Sequence, residues 1–303
     1  MNKLAPFFII VAASLWGVDG IVLRPVLFTL PVTLVVFVES TIVAVLLTPF
    51  MFKYFGELKN MRRGDWFAFA GVALLGGAVG TMAITRALFY VNYVNLSVVI
   101  LIQKLQPVFA ISLAAAYLKE KLPGEFFRWA VLAIIGAYFM TFGFNLPDLS
   151  NGDKTAVAAL LSLLAAISFS SSTVLSKRAL RNVGFELGTY LRFAFTSVIM
   201  LLIVSIPGTI TSISEISGNQ ILIFILIAFS TGGPAIFLYY FGLKRISASV
   251  SSICELSFPL TAVILEYFVH GNILGPVQWI GTAVLLLSIL RVTAIKTLPA
   301  KVT

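Results

Sequence analysis

The chain contains very few of the side chains that bind metals or form covalent cross-links. Its 303 residues include one cysteine, Cys254, and one histidine, His270. A single cysteine excludes a disulfide within the chain and a zinc site built from thiolates. A single histidine argues against a histidine-based metal site. The sequence also lacks a Gly-x-x-x-x-Gly-Lys-Ser/Thr motif, which argues against an ATP-driven pump. We therefore expect no metal and no cofactor.

Charged residues are also scarce, and apolar residues are in excess. Only 11% of residues are charged and 59% are hydrophobic, whereas soluble domains have about 25% and 45–50%. The mean hydropathy is +1.03. This composition is typical of a protein whose outer surface faces lipid. The net charge of +9 would suggest nucleic acid in a soluble protein, but here it is better explained by cytoplasmic loops. We therefore expect a lipid bilayer and a small-molecule substrate as partners, and no nucleic acid.

Ten runs of about 20 apolar residues follow one another along the chain, each long enough to cross a bilayer as a helix. Glycine, proline and charged residues separate them, as at Arg24-Pro25 and Pro123-Gly124. The runs predict an all-α membrane protein with ten transmembrane helices. The predicted spans are 4–23, 31–52, 66–86, 96–118, 127–145, 155–176, 187–207, 220–242, 248–269 and 276–294.

The basic residues predict the orientation of these spans. Sixteen of the 21 Lys and Arg residues fall on one side, three fall on the other, and Lys104 and Arg192 fall inside spans. Cytoplasmic loops of membrane proteins carry the excess of Lys and Arg. The bias therefore predicts that both termini are cytoplasmic, in an inner or plasma membrane.

The two halves of the chain, 1–150 and 151–303, resemble each other. At an offset of 152 residues the matches include Phe89/Phe241, Ser97/Ser249 and Pro107/Pro259. Five spans per half is an odd number, so the second half would cross the membrane in the opposite sense. Such inverted-topology repeats are used by many transporters for alternating access. The simpler alternative is that the duplication only eases folding.

Several short motifs, in order along the chain, resemble the drug/metabolite transporter superfamily and its EamA-type branch. These motifs are Trp16-Gly17, Leu105-Gln106-Pro107-Val108, Lys119-Glu120-Lys121-Leu122 and Gln278-Trp279-Ile280-Gly281. The nearest similarity is to the YddG-type aromatic amino-acid exporters of that branch. The second half departs from the pattern, because Phe169-Ser170 stands where the first half has Trp16-Gly17. The resemblance implies export of amino acids, aromatic ones included, or of similar metabolites.

Ionisable side chains inside a span are costly and are functional candidates by default. With the predicted orientation, the outer half of the membrane holds Asp19, Glu39, Arg86 and Lys104. Two acids and two bases in one layer suggest mutual neutralisation. With Arg192, which lies nearer the cytoplasmic face, they are candidates for gating or coupling. The alternative is that such pairs only hold helices together.

A substrate cavity is predicted between the fourth and ninth spans. Gln103 and Gln106 are three residues apart and share a helix face, and Glu255 and Phe258 occupy the equivalent positions of the second half. Pro107 and Pro259 follow, and each either kinks the helix beside a cavity or serves packing alone. The remaining substrate-binding candidates are Trp16, Thr81, Ser172 and Tyr239. For Thr81 and Ser172 the alternative role is close helix packing.

The leading functional hypothesis is a secondary transporter that works by alternating access of a cavity near the membrane midplane. A multidrug or nucleoside exporter of the same fold is the alternative substrate class. A membrane-embedded enzyme and a channel are the alternatives of other classes. With one Cys and one His, metal-dependent catalysis is nearly excluded. One copy of ten helices has room for its own cavity, so a monomer would be sufficient.

Overall fold

A computed structural model describes residues 4–89, 99, 102–145, 153–205, 210–270 and 275–295. Within these ranges the chain forms helices and no strand. We number the main helices α1 to α11. Their bounds are α1 Ala5–Leu27, α2 Val32–Leu58, α3 Arg63–Leu88, α4 Gln106–Tyr117, α5 Gly124–Phe142, α6 Asp153–Ala179, α7 Phe185–Val204, α8 Gly218–Leu243, α9 Ala248–Cys254, α10 Ser257–His270 and α11 Pro276–Ala294. By length and composition, eight of these can cross a membrane, namely all except α4, α9 and α10.

Eight of the ten predicted spans are thereby confirmed as helices that are long and apolar enough to cross a membrane. The other two, 96–118 and 248–269, are not seen as single continuous helices. In the second of these, α9 ends at Cys254 and α10 begins at Ser257. In the first, residues 102 and 103 are helical, Lys104 and Leu105 form a turn, and α4 begins at Gln106. The N-terminal part of that span lies mostly outside the described residues.

Proline explains why both segments are interrupted. Proline has no N–H to donate, and its ring clashes with the carbonyl four residues earlier. For Pro107 and Pro259 those carbonyls belong to Gln103 and Glu255. The chain tightens there, with Leu105 N donating to the carbonyl of residue 102 at 3.0 Å and Leu256 N to that of residue 253 at 3.1 Å. The polar side chains of Gln103 and Glu255 therefore lie at the two interruptions.

Three other helices contain a wider π-helical turn. These turns are Asp19–Leu23 in α1, Ala73–Val79 in α3 and Ala228–Gly232 in α8. A π-helical turn inserts an extra residue and often marks a functional site. Each of the three carries residues that line the cavity described below.

Each long helix packs against one or two main neighbours. α2 lies against α7, α5 against α11, α1 against both α8 and α10, and α6 against both α3 and α4. The closest approach is between α5 and α11, where glycines allow the backbones to touch. A Cβ added to Gly136 would lie 2.7 Å from the backbone nitrogen of Leu285 and 3.0 Å from the carbonyl oxygen of Gly281. Small residues at such crossings are typical of helix packing in membranes.

Large apolar side chains cover the outside of the bundle. Phe67 is 78% exposed, Leu202 72% and Ile280 65%. Soluble proteins rarely expose contiguous apolar surface on this scale, because it drives aggregation. The exposed apolar side chains and the eight long apolar helices belong to a multi-pass membrane protein.

Candidate functional site

A cavity of about 410 Å³ lies inside the bundle, between the interrupted segments and the helices around them. This volume falls within the range of about 300–1,000 Å³ that is usual for sites of small ligands. Twelve of the thirteen side chains proposed from the sequence line it. They are Trp16, Asp19, Glu39, Thr81, Gln103, Lys104, Gln106, Ser172, Arg192, Tyr239, Glu255 and Phe258. Arg86 is exposed and is not among the lining residues.

One wall of the cavity is aromatic. The rings of Trp16 and Tyr239 are 5.3 Å apart between centroids and tilted by 55°. Phe169, Phe193 and Phe258 also line the cavity. Aromatic pairs favour tilted or offset arrangements at such distances, and a flat ligand can add to them by stacking. This wall suits a substrate with an aromatic ring.

Glu255, at the interruption between α9 and α10, accepts hydrogen bonds from three neutral donors. The Tyr239 hydroxyl donates to Oε1 at 2.8 Å and the Ser251 hydroxyl donates to the same oxygen at 3.2 Å. The side-chain amide of Gln106 donates to Oε2 at 2.9 Å. This last bond joins the two interrupted segments, which the sequence predicts as the cavity lining. Tyr239 is fixed in turn by a 2.8 Å hydrogen bond with Thr173.

Asp19 and Glu39 share one arginine. Arg24 donates to Asp19 Oδ2 from Nε at 2.8 Å and from Nη2 at 2.5 Å. Nη2 also donates to Glu39 Oε2 at 3.2 Å. The three side chains are 9–14% exposed. The sequence predicts Arg86 and Lys104 as the neutralising bases and Arg24 as a loop residue, and this pairing is wrong. The π-helical turn and the following turn Arg24–Leu27 extend the helix and bring Arg24 back over Asp19.

The other two basic residues of the cavity make no ion pair among the described residues. Lys104 is 3% exposed, and its Nζ has no hydrogen-bond partner there. Arg192 has only long contacts with neutral groups. Its Nη1 is 3.5 Å from the hydroxyls of Ser172 and Tyr240, and its Nη2 is 3.4 Å from the carbonyl of Gly76.

Two predicted side chains mainly serve the protein scaffold. The amide of Gln103 donates to the carbonyl of Ser162 in α6 at 2.8 Å. The hydroxyl of Thr81 donates to the carbonyl of Gly76 at 3.0 Å, which satisfies the π-helical turn of its own helix. Among the residues described, no group of three or more His, Cys, Asp or Glu side chains could hold a metal ion. The cavity is therefore equipped to bind a ligand through rings and hydrogen bonds.

Some lining residues were not singled out from the sequence. Arg24 is the most important, and its five-residue spacing from Asp19 fits one turn of a π-helix. Phe169 could have been found, because it occupies the position equivalent to Trp16 in the second half. Thr85 and Thr231 carry no pattern that distinguishes them from the many other threonines of apolar helices.

Comparisons with known proteins agree with a transporter. The model of the EamA-like transporter family matches residues 3–142 and again 156–294. A protein from Fusobacterium nucleatum subsp. nucleatum named riboflavin transporter ImpX is 43% identical over 283 residues, which cover 93% of this chain and 95% of that protein. The uncharacterized transporter YwfM of Bacillus subtilis is 26% identical over 62% of this chain and 61% of its own. The amino-acid substrate implied by the resemblance finds no support in these relatives.

One solved crystal structure is similar over 97% of this chain and 99% of its own. The TM-score is 0.75 and the sequence identity is 15%. At this level of identity the similarity concerns the fold alone.

Proposed function

Since the chain belongs to the EamA-like transporter family, we propose that it carries riboflavin, or a closely related aromatic heterocycle, across the membrane. The observation that carries this proposal is the aromatic wall that Trp16 and Tyr239 form in the cavity. The 43% identical relative named as a riboflavin transporter supports the choice of substrate.

The chemistry of riboflavin suits this cavity. Its flat, fused ring system offers a large surface for stacking, and its ring carbonyls and hydroxylated chain need hydrogen bonds. Stacking on aromatic side chains contributes about 0.5–1.5 kcal/mol beyond the burial of apolar area. The hydroxyl, amide and charged groups that interrupt the apolar lining can fix the orientation of the polar parts, as is usual in small-molecule sites.

The proposed architecture is the predicted one, two inverted five-helix repeats in which the interrupted segments are the fourth and ninth helices. The helix contacts support it. If the halves 1–150 and 151–303 are equivalent, the contact of α1 with α8 corresponds to that of α6 with α3, and both are present. The contact of α1 with α10 likewise corresponds to that of α6 with α4. The two separate matches of the family model support the same division.

Substrate sites of such transporters lie near the membrane midplane and are built from interrupted helices. The proposed mechanism is therefore alternating access of the cavity by movement of one repeat against the other. In this proposal both termini are cytoplasmic, as the loop charges predict, and the membrane is the inner membrane of a bacterium. Transport in this proposal is driven by a gradient of the substrate or of a coupled ion, because the sequence contains no nucleotide-binding motif.

The test is uptake of labelled riboflavin into proteoliposomes that contain the purified protein. Uptake should saturate and should be competed by unlabelled riboflavin but not by phenylalanine or tryptophan. Trp16→Leu should raise KM roughly 2- to 10-fold, the loss of about 0.5–1.5 kcal/mol of stacking. Trp66→Leu is the matched control, because Trp66 is 37% exposed on the outside of α3. Saturable uptake of an amino acid with none of riboflavin would refute the substrate.

A further inference from the structure

The buried polar atoms that have no partner are concentrated in the cavity. Among the described residues, five buried side-chain N or O atoms lack a hydrogen bond. They belong to Asp19, Arg24, Thr85, Lys104 and Thr231. All five residues line the cavity. Leaving such an atom unpaired costs about 1–3 kcal/mol, and proteins rarely tolerate several of them in one place without a purpose. The concentration of these atoms in one cavity indicates that a ligand completes their hydrogen bonds.

Lys104 stands out within this set. It lies in the turn that precedes α4, where Pro107 prevents a continuous helix, so its position is set by the interruption of the segment. The residue is 3% exposed, and no acidic oxygen of the described residues lies within 4.0 Å of its Nζ. Lysine carries three N–H donors and no acceptor, so only an acceptor can satisfy it.

The charges around Lys104 indicate which kind of acceptor is missing. Three acids and three bases line the cavity, so their formal charges cancel. Asp19 and Glu39 share Arg24, which leaves this cluster with a formal net charge of −1. Besides Lys104, the lining holds Glu255 as its remaining acid and Arg192 as its remaining base, and no ion pair joins these two among the described residues.

The formal charges of the lining therefore already sum to zero, while Lys104 Nζ still lacks a hydrogen-bond acceptor among the described residues. A phosphate group brings about −1.5 to −2 charges, and buried charge without compensation costs several kcal/mol. An uncharged oxygen would complete the hydrogen bonds of Lys104 without disturbing the balance.

We propose that Lys104 is a specificity-determining residue that donates a hydrogen bond to an uncharged carbonyl or hydroxyl oxygen of the substrate. The transporter then accepts the neutral ring compound and discriminates against its phosphorylated form. This inference rests on the proposed function, because riboflavin supplies such oxygens and riboflavin 5′-phosphate adds the unwanted charge. Thr85 and Thr231 complete the polar part of the site, since a hydroxyl can donate to or accept from the same class of group.

The test measures equilibrium binding to the purified full-length protein in detergent, with riboflavin, riboflavin 5′-phosphate, lumichrome and phenylalanine as probes. The wild type should bind riboflavin at least 10-fold more tightly than its phosphate. Lys104→Met should raise the Kd for riboflavin about 10- to 100-fold, since a hydrogen bond to a charged donor contributes about 1.5–3 kcal/mol. Lys104→Gln keeps an N–H donor without the charge and should recover part of the affinity. Lys59→Met is the matched control, because Lys59 is exposed outside the cavity.

The outcomes separate this inference from the proposed function. If riboflavin binds and Lys104→Met binds it equally well, Lys104 has no such role, whereas the proposed function stands. If riboflavin 5′-phosphate binds more tightly than riboflavin, or if Gln behaves like Met, recognition is ionic and the inference is overturned. If only lumichrome binds, and binding depends on Lys104 with recovery by Gln, riboflavin is the wrong substrate but the role of Lys104 stands. If only phenylalanine binds, both are overturned, because its only oxygens belong to a carboxylate. Failure of all four probes to bind would reject both.

Discussion

Replacing Arg24 with methionine is expected to destabilise the protein strongly. Arg24 holds two carboxylates that are largely buried, with contacts of 2.5 and 2.8 Å to Asp19 and 3.2 Å to Glu39. Methionine is similar in length but has no charge, so both acids would be left without their cation. Removing one partner from a buried ion pair costs about 3–5 kcal/mol. At about 2 °C per kcal/mol for a chain of this size, the midpoint of thermal unfolding in detergent should fall by about 6–10 °C.

The structure also ranks the two acids. Asp19 receives two hydrogen bonds from Arg24 and Glu39 receives one longer bond, so Asp19→Asn should destabilise more than Glu39→Gln. The triple variant that combines Arg24→Met, Asp19→Asn and Glu39→Gln should recover much of the stability lost in Arg24→Met alone. It leaves no buried charge of this cluster unpaired. Lys59→Met serves again as the control with no expected change. An Arg24→Met variant as stable as the wild type would refute the buried cluster.

Two further substitutions test contacts that hold the bundle together. Glu120→Gln should lower the unfolding midpoint by about 3–6 °C. The Glu120 carboxylate accepts hydrogen bonds at the start of α9, from the backbone nitrogens of Ala248 at 2.8 Å and Ser249 at 3.2 Å. An unchanged midpoint would show that these bonds contribute nothing to stability. Gly281→Ala should lower it by about 2–6 °C, because the new methyl group would lie 2.8 Å from the carbonyl oxygen of Gly136 in α5. Gly124→Ala, where the added Cβ meets nothing within 4 Å, is the control, and equal effects of the two would contradict the close helix crossing.

The length of the apolar runs was sufficient to predict most of the helices, and the resemblance of short motifs indicated the family. A run of 20 apolar residues has few alternatives to a membrane helix, because lipid leaves every backbone group to be satisfied within the segment. That argument predicts the eight long helices, and the order of motifs around Trp16 and Gln106 predicts the EamA-like family. The length of an apolar run cannot predict the interruption at Glu255, because apolar residues continue on both sides of Glu255. Only Pro259 marks the place.

Most of the ionisable and polar side chains singled out from the sequence line the cavity, and burial of such groups in a span was the signal that identified them. The ion pairs between these side chains were not predicted, because the partner of each side chain depends on the rotation of its helix about the helix axis. The extra residue of the π-helical turn at Asp19 changes that rotation and brings Arg24, rather than Lys104, to the two acids. The substrate could not be predicted from the cavity alone, because aromatic rings and balanced charges suit both an aromatic amino acid and a flavin.

The most direct measurement of the proposed function is an experimental structure of the protein with riboflavin bound. The ring system should lie in van der Waals contact, within about 4 Å, of Trp16 and Tyr239. An uncharged oxygen of the same molecule should lie within hydrogen-bond distance, about 3 Å, of Lys104 Nζ. Riboflavin bound only at the lipid-facing surface, or a cavity that stays closed to it at saturating concentration, would contradict the proposed function.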